Sequence, residues 1–174
     1  MKEYTLSVFT ENRAGLLQRV VTVFTKRHIN IESLNTSKSS IAGIHRFTIV
    51  VKVKEDQIKK LVAAIEKQVD VIKAFHYELG EIVHQEIALY KVPTSSFMDG
   101  EEMEYLIRSH NARILRIEKE YIVVEKTGHQ DETEALLHEL QDRGIYEFVR
   151  SGRVSVPKTM EPLNRYLASI SGKN

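Results

Sequence analysis

The chain has 174 residues, of which 42% are hydrophobic and 28% are charged. This is the composition of a folded globular protein, and it excludes a chain that is disordered throughout. Lysine and arginine number 25 against 24 acidic residues, so the net charge of +1 gives no electrostatic footprint for a nucleic-acid backbone. Cysteine is absent, which excludes disulfides, thiolate metal sites and cysteine nucleophiles.

The sequence also gives an expectation about the cellular compartment. No apolar run approaches the roughly 20 residues that a membrane-spanning helix needs. The first residues lack the basic and apolar regions of a signal peptide. We therefore expect a cytoplasmic protein that does not enter a membrane.

The first half of the chain alternates between the period of strands and the spacing of helices. Residues 4–9 alternate between apolar and polar side chains, and apolar residues recur at helical spacing from Ala14 to Arg27. The predicted elements of this half are strands over residues 4–9, 29–36, 47–53 and 69–77 and helices over residues 14–27 and 58–65. Their order is the strand–helix–strand–strand–helix–strand order of a ferredoxin-like domain.

The same order of elements recurs in the second half. The predicted elements are strands over residues 87–92, 114–117, 121–124 and 145–150 and helices around residues 103–107 and 133–140. A further helical stripe in the tail consists of Leu163, Tyr166, Leu167 and Ile170. We therefore predict an α+β fold with two ferredoxin-like βαββαβ domains, an N-terminal one over residues 1–80 and a second one over residues 81–157. The tail over residues 158–174 is either a short amphipathic helix or a frayed end.

The segment between the first strand and the first helix has the most informative residues. Asn12 could cap the helix, since its side-chain oxygen can accept a first-turn N–H. Gly15 fits that interpretation poorly, because a glycine inside a helix costs about 1 kcal/mol relative to alanine. A glycine is favoured where a ligand must approach the backbone, and first-turn N–H groups suit a small anion such as a carboxylate. The sequence leaves both interpretations open.

A free amino acid has the chemistry to match a turn of this kind. Its carboxylate would face the N-terminus of the helix, and its ammonium group would meet Asn12 and carbonyl groups at strand ends. Leu16, Leu17 and Ile31 could line a small apolar pocket for an aliphatic side chain. Asn30 is the second unusual residue, because asparagine is disfavoured where a strand begins. The alternative is an asparagine that closes a turn.

These residues resemble a known family. Residues 6–20, with Phe24, Arg27 and the run Asn-Ile-Glu-Ser-Leu at 30–34, resemble the ACT domain of acetolactate synthase small subunits. Residues 147–152 end in Arg-Ser-Gly and are similar to the Arg-(Ser/Thr)-Gly segment near the end of those proteins. An Asn-x-x-Gly motif occurs in many ACT domains, whereas its combination with Asn-Ile-Glu-Ser-Leu is more specific. The resemblance implies an N-terminal ACT domain over residues 1–80 and a C-terminal ACT-like domain over residues 81–157.

The resemblance implies a regulatory subunit rather than an enzyme. Members of the family activate the catalytic subunit of acetolactate synthase, which acts in the synthesis of valine, leucine and isoleucine, and they confer feedback inhibition, usually by valine. The family's thiamine diphosphate, Mg²⁺ and FAD belong to the catalytic partner, so we expect no cofactor, no metal and no catalytic residue on this chain.

The resemblance also implies where the effector binds. ACT domains of this family dimerise side by side, and each effector lies at the interface, between the Asn-x-x-Gly loop of one chain and the strand start of the other. Carried over to this sequence, the predicted effector-binding residues are Asn12, Gly15, Leu16 and Leu17 in the loop and Asn30 and Ile31 at the strand start.

The second half departs from the motif. Its corresponding turn reads Ser-Ser-Phe-Met-Asp-Gly over residues 95–100 and has no Asn-x-x-Gly. We therefore expect effector binding only in the first half, with the second half serving oligomerisation or contact with the catalytic subunit.

Two other functions compete with this prediction. One is a stand-alone sensor of amino acids with tandem ACT-type domains, which acts on another enzyme or on a transcription complex. The other is a small enzyme on a ferredoxin-like scaffold, which is disfavoured because the sequence shows no nucleophile–base pair. The seven histidines show no short paired spacing, so a metal site is not expected, and no phosphate-binding glycine motif is present.

Overall fold

The computed structural model describes residues 1–97, 100–159, 163 and 166. The chain forms two compact units. The first comprises Met1–Val83 together with the described residues from Arg153 onward, and the second comprises His84–Gly152. The domain limits at residues 80 and 157 stay a prediction from the sequence. Within the described residues, no helix is both long and apolar enough to cross a membrane.

The first unit has the predicted βαββαβ order. Its elements are β1 (Lys2–Glu11), α1 (Leu16–Thr25), β2 (Ser33–Lys38), β3 (Ile44–Val53), α2 (Glu55–Glu66) and β4 (Val71–Tyr77). The strands form an antiparallel sheet in the order β2-β3-β1-β4. Strand β2 therefore lies at one edge of this sheet and β4 at the other.

Alternation along the strands sends one set of side chains toward the helices. Leu6 and Val8 of β1 are fully buried in a core that also contains Val20 and Phe24 of α1 and Leu61 of α2. Residues of a strand that are two apart share a face. The helices therefore cover one face of the sheet, and this face contains the core that the sequence pattern predicted.

The opposite face of the sheet is also covered. Thr5 and Ser7 point away from the helices, yet they are only 1% and 2% exposed. The cover comes from a strand that the sequence analysis did not predict, β9 (Val154–Pro157), and from the residue before it, Arg153.

Arg153 attaches this final segment to the first sheet. Its backbone N–H donates to Ser33 Oγ at 3.2 Å, and its Nη1 donates to Thr5 Oγ1 at 2.9 Å. Its Nη2 lies 2.9 Å from Glu3 Oε1. Arg153 and Ser155 are buried while Val154 and Val156 are about half exposed, so the hydrophobic pattern is the reverse of an ordinary strand. This reversal explains why the sequence did not indicate β9.

Several element limits differ from the predicted ones. Helix α1 begins at Leu16 rather than at Ala14, and β2 begins at Ser33 rather than at Ile29. Val69 is 72% exposed and precedes β4, so its apolar side chain wrongly extended the predicted strand. Leu163 and Tyr166 are described, whereas the other residues of the predicted tail helix lie outside the described residues.

The second unit repeats the same order with a different core. Its elements are β5 (Ile82–Pro93), α3 (Gly100–Ser109), β6 (Arg113–Ile117), β7 (Tyr121–Gly128), α4 (Gln130–Gln141) and β8 (Glu147–Arg150), and the first two residues of β5 belong to the first unit. The sheet order is β6-β7-β5-β8. Both units are thus antiparallel sheets packed with helices, and the predicted α+β fold with two ferredoxin-like domains is confirmed.

Arg150, in the segment that carries the Arg-Ser-Gly motif, joins β8 to α4 and β5. Its Nη1 lies 3.2 Å from Glu134 Oε1, and its Nε lies 3.5 Å from Glu86 Oε2, whose side chain is 6% exposed. Hydrogen bonds from Gln130 and then from Arg150 lower the pKa of Glu134. The motif therefore has a structural role, because it brings a cation to a buried carboxylate.

We predict that Arg150→Met destabilises the second unit by at least about 2 kcal/mol, because a buried carboxylate loses a cationic partner. The difference in stability between the variant and the wild type should narrow as the pH falls through the lowered pKa of Glu134, because its protonated carboxyl group no longer pairs with the guanidinium. Denaturant unfolding followed by circular dichroism measures both effects. Arg108→Met is the control, since Arg108 is 79% exposed in its pair with Glu104, and an equal loss in the two variants would contradict the role of Arg150.

Candidate functional site

The turn between β1 and α1 is fixed by backbone hydrogen bonds at its start. The N–H of Glu11 donates to the carbonyl of Asp70 at 3.0 Å, and the N–H of Asn12 donates to the carbonyl of Gly43 at 2.9 Å. The chain then reaches Gly15, which has a φ of 81° and immediately precedes α1. Residues with a Cβ adopt this left-handed conformation only at a cost of about 1–2 kcal/mol. Gly15 is therefore required by the backbone of the turn.

The hypothesis that Asn12 caps α1 is wrong. The cap position belongs to Gly15, and no side chain of the described residues makes a cap hydrogen bond there. The first N–H groups of a helix have no partner within the helix, and they carry partial positive charge. Among the described residues no side chain accepts these donors as a cap, and the Asn12 side chain is exposed.

Asp70 is a residue of this turn that the sequence analysis missed. Its carboxylate lies 3.5 Å from Arg13 Nη1 and 3.3 Å from Arg19 Nη1, and its side chain is 12% exposed. It thereby ties the turn and the first part of α1 to the connection between α2 and β4. Nothing in the sequence linked residue 70 to residues 13 and 19, because their proximity arises only from the sheet.

The three apolar residues of the predicted site differ in their exposure. Leu16 is 2% exposed and points into the interior, whereas Leu17 is 37% exposed at the surface of α1. Ile31 is half-buried and packs against the edge of the core. Of the three, Leu17 is therefore the most accessible to a ligand.

Asn30 does not open a strand, as was predicted, but precedes β2 by three residues. It is exposed, and its Nδ2 donates to Glu32 Oε1 at 3.2 Å. It follows His28, whose φ is 53°. The alternative interpretation was an asparagine that closes a turn, but the turn covers residues 26–28 and Asn30 lies two residues beyond it.

The two parts of the predicted site lie toward opposite ends of the sheet within one chain. Asn12 bonds to Gly43, just before β3, while Ser33 pairs with Val50 on the same strand. Seven residues separate Gly43 from Val50, which corresponds to about 23 Å along a strand. A single chain therefore does not bring the Asn12–Leu17 turn to Asn30 and Ile31.

The described residues contain one group with possible metal ligands, at the start of α4. His129, Asp131 and Glu132 place their ligand atoms within 4.8 Å of one another, and all three are exposed. Glu132 already accepts a hydrogen bond from the N–H of His129 at 2.7 Å, and Lys126 Nζ lies 3.5 Å from it. The contacts at Glu132 are thus those of a capped helix start.

We predict that Gly15→Ala destabilises the protein by about 1–2 kcal/mol, because the Cβ would force a strained left-handed backbone although it meets no atom within 4 Å. Gly80→Ala is the matched control. A Cβ at Gly80 also meets open space, but its φ lies outside the left-handed range. Denaturant unfolding of both variants tests this, and a Gly15→Ala protein as stable as the Gly80→Ala protein would contradict it.

Comparison with known proteins gives a consistent assignment for the two units. A family model for the AHAS small subunit-like ACT domain matches residues 6–73, and a model for the small subunit of acetolactate synthase matches residues 85–159. The acetolactate synthase small subunit of Bacillus subtilis is 37% identical over 142 residues, which are 81% of this chain and 82% of that protein. That of Mycolicibacterium smegmatis is 34% identical over 155 residues, which are 89% and 91% of the two chains.

A solved structure agrees over nearly the full length. The crystal structure of the acetolactate synthase small subunit from Thermotoga maritima superposes with a TM-score of 0.84 at 26% identity. The match covers 92% of this chain and 100% of that chain. The chain belongs to the family of acetolactate synthase small subunits.

Proposed function

We propose that this chain is the regulatory subunit of acetolactate synthase, which activates a catalytic subunit and makes it sensitive to feedback inhibition by a branched-chain amino acid, with valine as the first candidate. The names of its relatives support the assignment to this enzyme. Thiamine diphosphate, Mg²⁺ and FAD would be bound by the catalytic partner.

The observation that supports amino-acid sensing is the entry to α1. The left-handed Gly15 has no side chain at the cap position, and no described side chain caps the first-turn N–H donors. A carboxylate placed there would accept those N–H groups and would interact favourably with the helix dipole. The exposed amide of Asn12 offers an acceptor to an ammonium group on the same ligand.

A second copy of the chain would complete the site. Strand β2 is an edge strand, and its unpaired backbone groups can pair with those of another β2. In a two-fold antiparallel pairing, the end of β2 in one chain meets the start of β2 in the other. The turn at Asn12, which lies toward the end of β2, then approaches Asn30 and Ile31 of the other chain.

This arrangement couples ligand binding to assembly. A ligand held by two chains stabilises the arrangement of the dimer in which both parts of the site approach each other. The catalytic subunit would respond if it binds one such arrangement better than another. Selectivity among aliphatic side chains would come from Leu17 and Ile31, where one methylene contributes about 1–3 kcal/mol.

We predict that Asn12→Ala raises the valine concentration for half-maximal inhibition about tenfold or more, and that Gly15→Asp abolishes inhibition because its carboxylate occupies the place of the ligand's carboxylate. Both variants should still activate the catalytic subunit. The measurement is acetolactate formation by the reconstituted enzyme over a valine titration.

Gly144→Asp is the matched control for Gly15→Asp. Gly144 has a φ of 85° and lies in the second unit, so the substitution imposes similar backbone strain away from the proposed site. The assignment of the site is wrong if Asn12→Ala and Gly15→Asp still activate the catalytic subunit and keep the valine inhibition of the wild type. Failure of the wild type to bind a thiamine-diphosphate enzyme in a pull-down would instead favour a stand-alone amino-acid sensor.

We predict that Thr36→Lys weakens the dimer, because Thr36 lies near the middle of β2 and a two-fold pairing would place two ammonium groups opposite each other. Sedimentation equilibrium should show a dissociation constant raised about tenfold or more. Ala63→Lys adds the same charge on an exposed position of α2 and is the control. Equal dissociation constants for the two variants would exclude β2 from the interface.

A further inference from the structure

The first unit contains a cavity of about 560 Å³ on the sheet face opposite α1 and α2. Its floor includes Phe9, Arg46 and Phe75, which alternate with core residues on β1, β3 and β4. Lys38 at the end of β2 lines one side, and the final segment of the chain closes another side through Pro157. All the lining residues belong to the first unit.

Arg46 is half-buried in the lining, and its hydrogen bonds are incomplete. Its Nη2 donates to Ser7 Oγ at 2.8 Å and to the carbonyl of Ser155 at 2.7 Å. Its Nε is buried and has no hydrogen-bond partner. No described residue places a carboxylate within ion-pair distance of Arg46, and its guanidinium lies over the ring of Phe9, with Cζ 5.6 Å from the ring centroid.

A cation in this position is costly without an anion. Burial lowers the pKa of Arg46 from its usual range, which reflects the loss of solvent around the guanidinium. Lys38 adds a second positive charge, and no acidic residue is among the described residues that line the cavity. A buried charge is normally compensated by an opposite charge and by hydrogen bonds.

We propose that this cavity is a binding site for an organic carboxylate that has an apolar or aromatic body and no ammonium group. A carboxylate supplies the negative charge that Arg46 lacks, and it can accept N–H groups of the guanidinium that Ser7 and Ser155 do not engage. The aromatic side chains of Phe9, Phe75 and Tyr77 provide surface for the body of the ligand. The volume lies in the range of ligand sites, at about 300–1,000 Å³.

The site is distinct from the proposed amino-acid site in both place and chemistry. The amino-acid site lies at the N-terminus of α1, whereas this cavity lies on the other face of the sheet. An ammonium group would meet Arg46 and Lys38 without an acidic partner in the described lining, so a free amino acid is disfavoured. The inference therefore does not depend on the proposed function.

Isothermal titration calorimetry of the full chain tests the proposal with three probes that share a phenyl ring on a three-carbon chain. The probes are 3-phenylpropanoate, phenylalanine, which adds an ammonium group, and 3-phenylpropan-1-ol, which lacks the carboxylate. We expect 3-phenylpropanoate to bind at least about tenfold more tightly than either of the others, since the alcohol cannot make charge-assisted hydrogen bonds with Arg46 and phenylalanine adds an ammonium group that has no acidic partner in the described lining.

Variants test whether 3-phenylpropanoate binds in this cavity. Arg46→Gln and Lys38→Glu should each raise its dissociation constant about tenfold or more. Lys52 is exposed on the same strand as Arg46, and Lys52→Gln should bind the probe as the wild type does. Lys38 is exposed at the edge of the sheet, so Lys38→Glu remains informative if Arg46→Gln loses its contact with Ser155 and unfolds.

Gly15→Asp separates this proposal from the proposed amino-acid site. Binding of 3-phenylpropanoate should be unchanged in that variant, even if its response to valine is lost. The proposal is wrong if the wild type does not bind 3-phenylpropanoate or binds the alcohol equally well. It is also wrong if Lys38→Glu leaves the affinity unchanged, or if Gly15→Asp abolishes binding.

Discussion

The left-handed backbone at Gly15 is the constraint on which the account of the first unit depends. Gly15 ends the turn between β1 and α1 and occupies the N-cap position of α1. Because it has no side chain, no side chain stands at that position beside the first N–H groups of the helix. Asp70 holds the same turn from the other side through Arg13 and Arg19. A rigid set of donors that the chain itself does not use is what the recognition of a small carboxylate requires. The same geometry would serve poorly as a simple helix start, because it gives up the stabilisation of an N-cap side chain.

The surfaces of the first sheet have separate roles in this account. Its helix face contains the core, its free edge at β2 is the proposed dimer contact, and its opposite face is covered by the final segment of the chain through Arg153. Arg46 lies on that opposite face and bonds to the carbonyl of Ser155. A ligand beside Arg46 would thus lie next to the final segment of the chain, which covers this face of the sheet. The proposed valine site thus lies at the start of α1 and the β2 edge, whereas the proposed carboxylate cavity lies on the face opposite the helices.

Much of the fold could be predicted from the sequence, because apolar residues recur at every second position in the core strands and at helical spacing in the two helices of each unit. The position of Gly15 was informative for the same local reason, since a glycine at the start of a helix needs an explanation. The relation of Asp70 to the turn could not be predicted, because it depends on the pairing of β1 with β4. Strand β9 was missed because its polar residues are buried and its valines are exposed.

Hybrid dimers show whether one effector site is built from two chains. A heterodimer of one Gly15→Asp chain and one Asn30→Ala chain has both lesions in one cross-chain site and none in the other. Calorimetry should therefore find about one valine bound per heterodimer, while each homodimeric variant binds none. If each site lay within a single chain, both chains of the heterodimer would be damaged, and the absence of valine binding in the heterodimer would contradict the account.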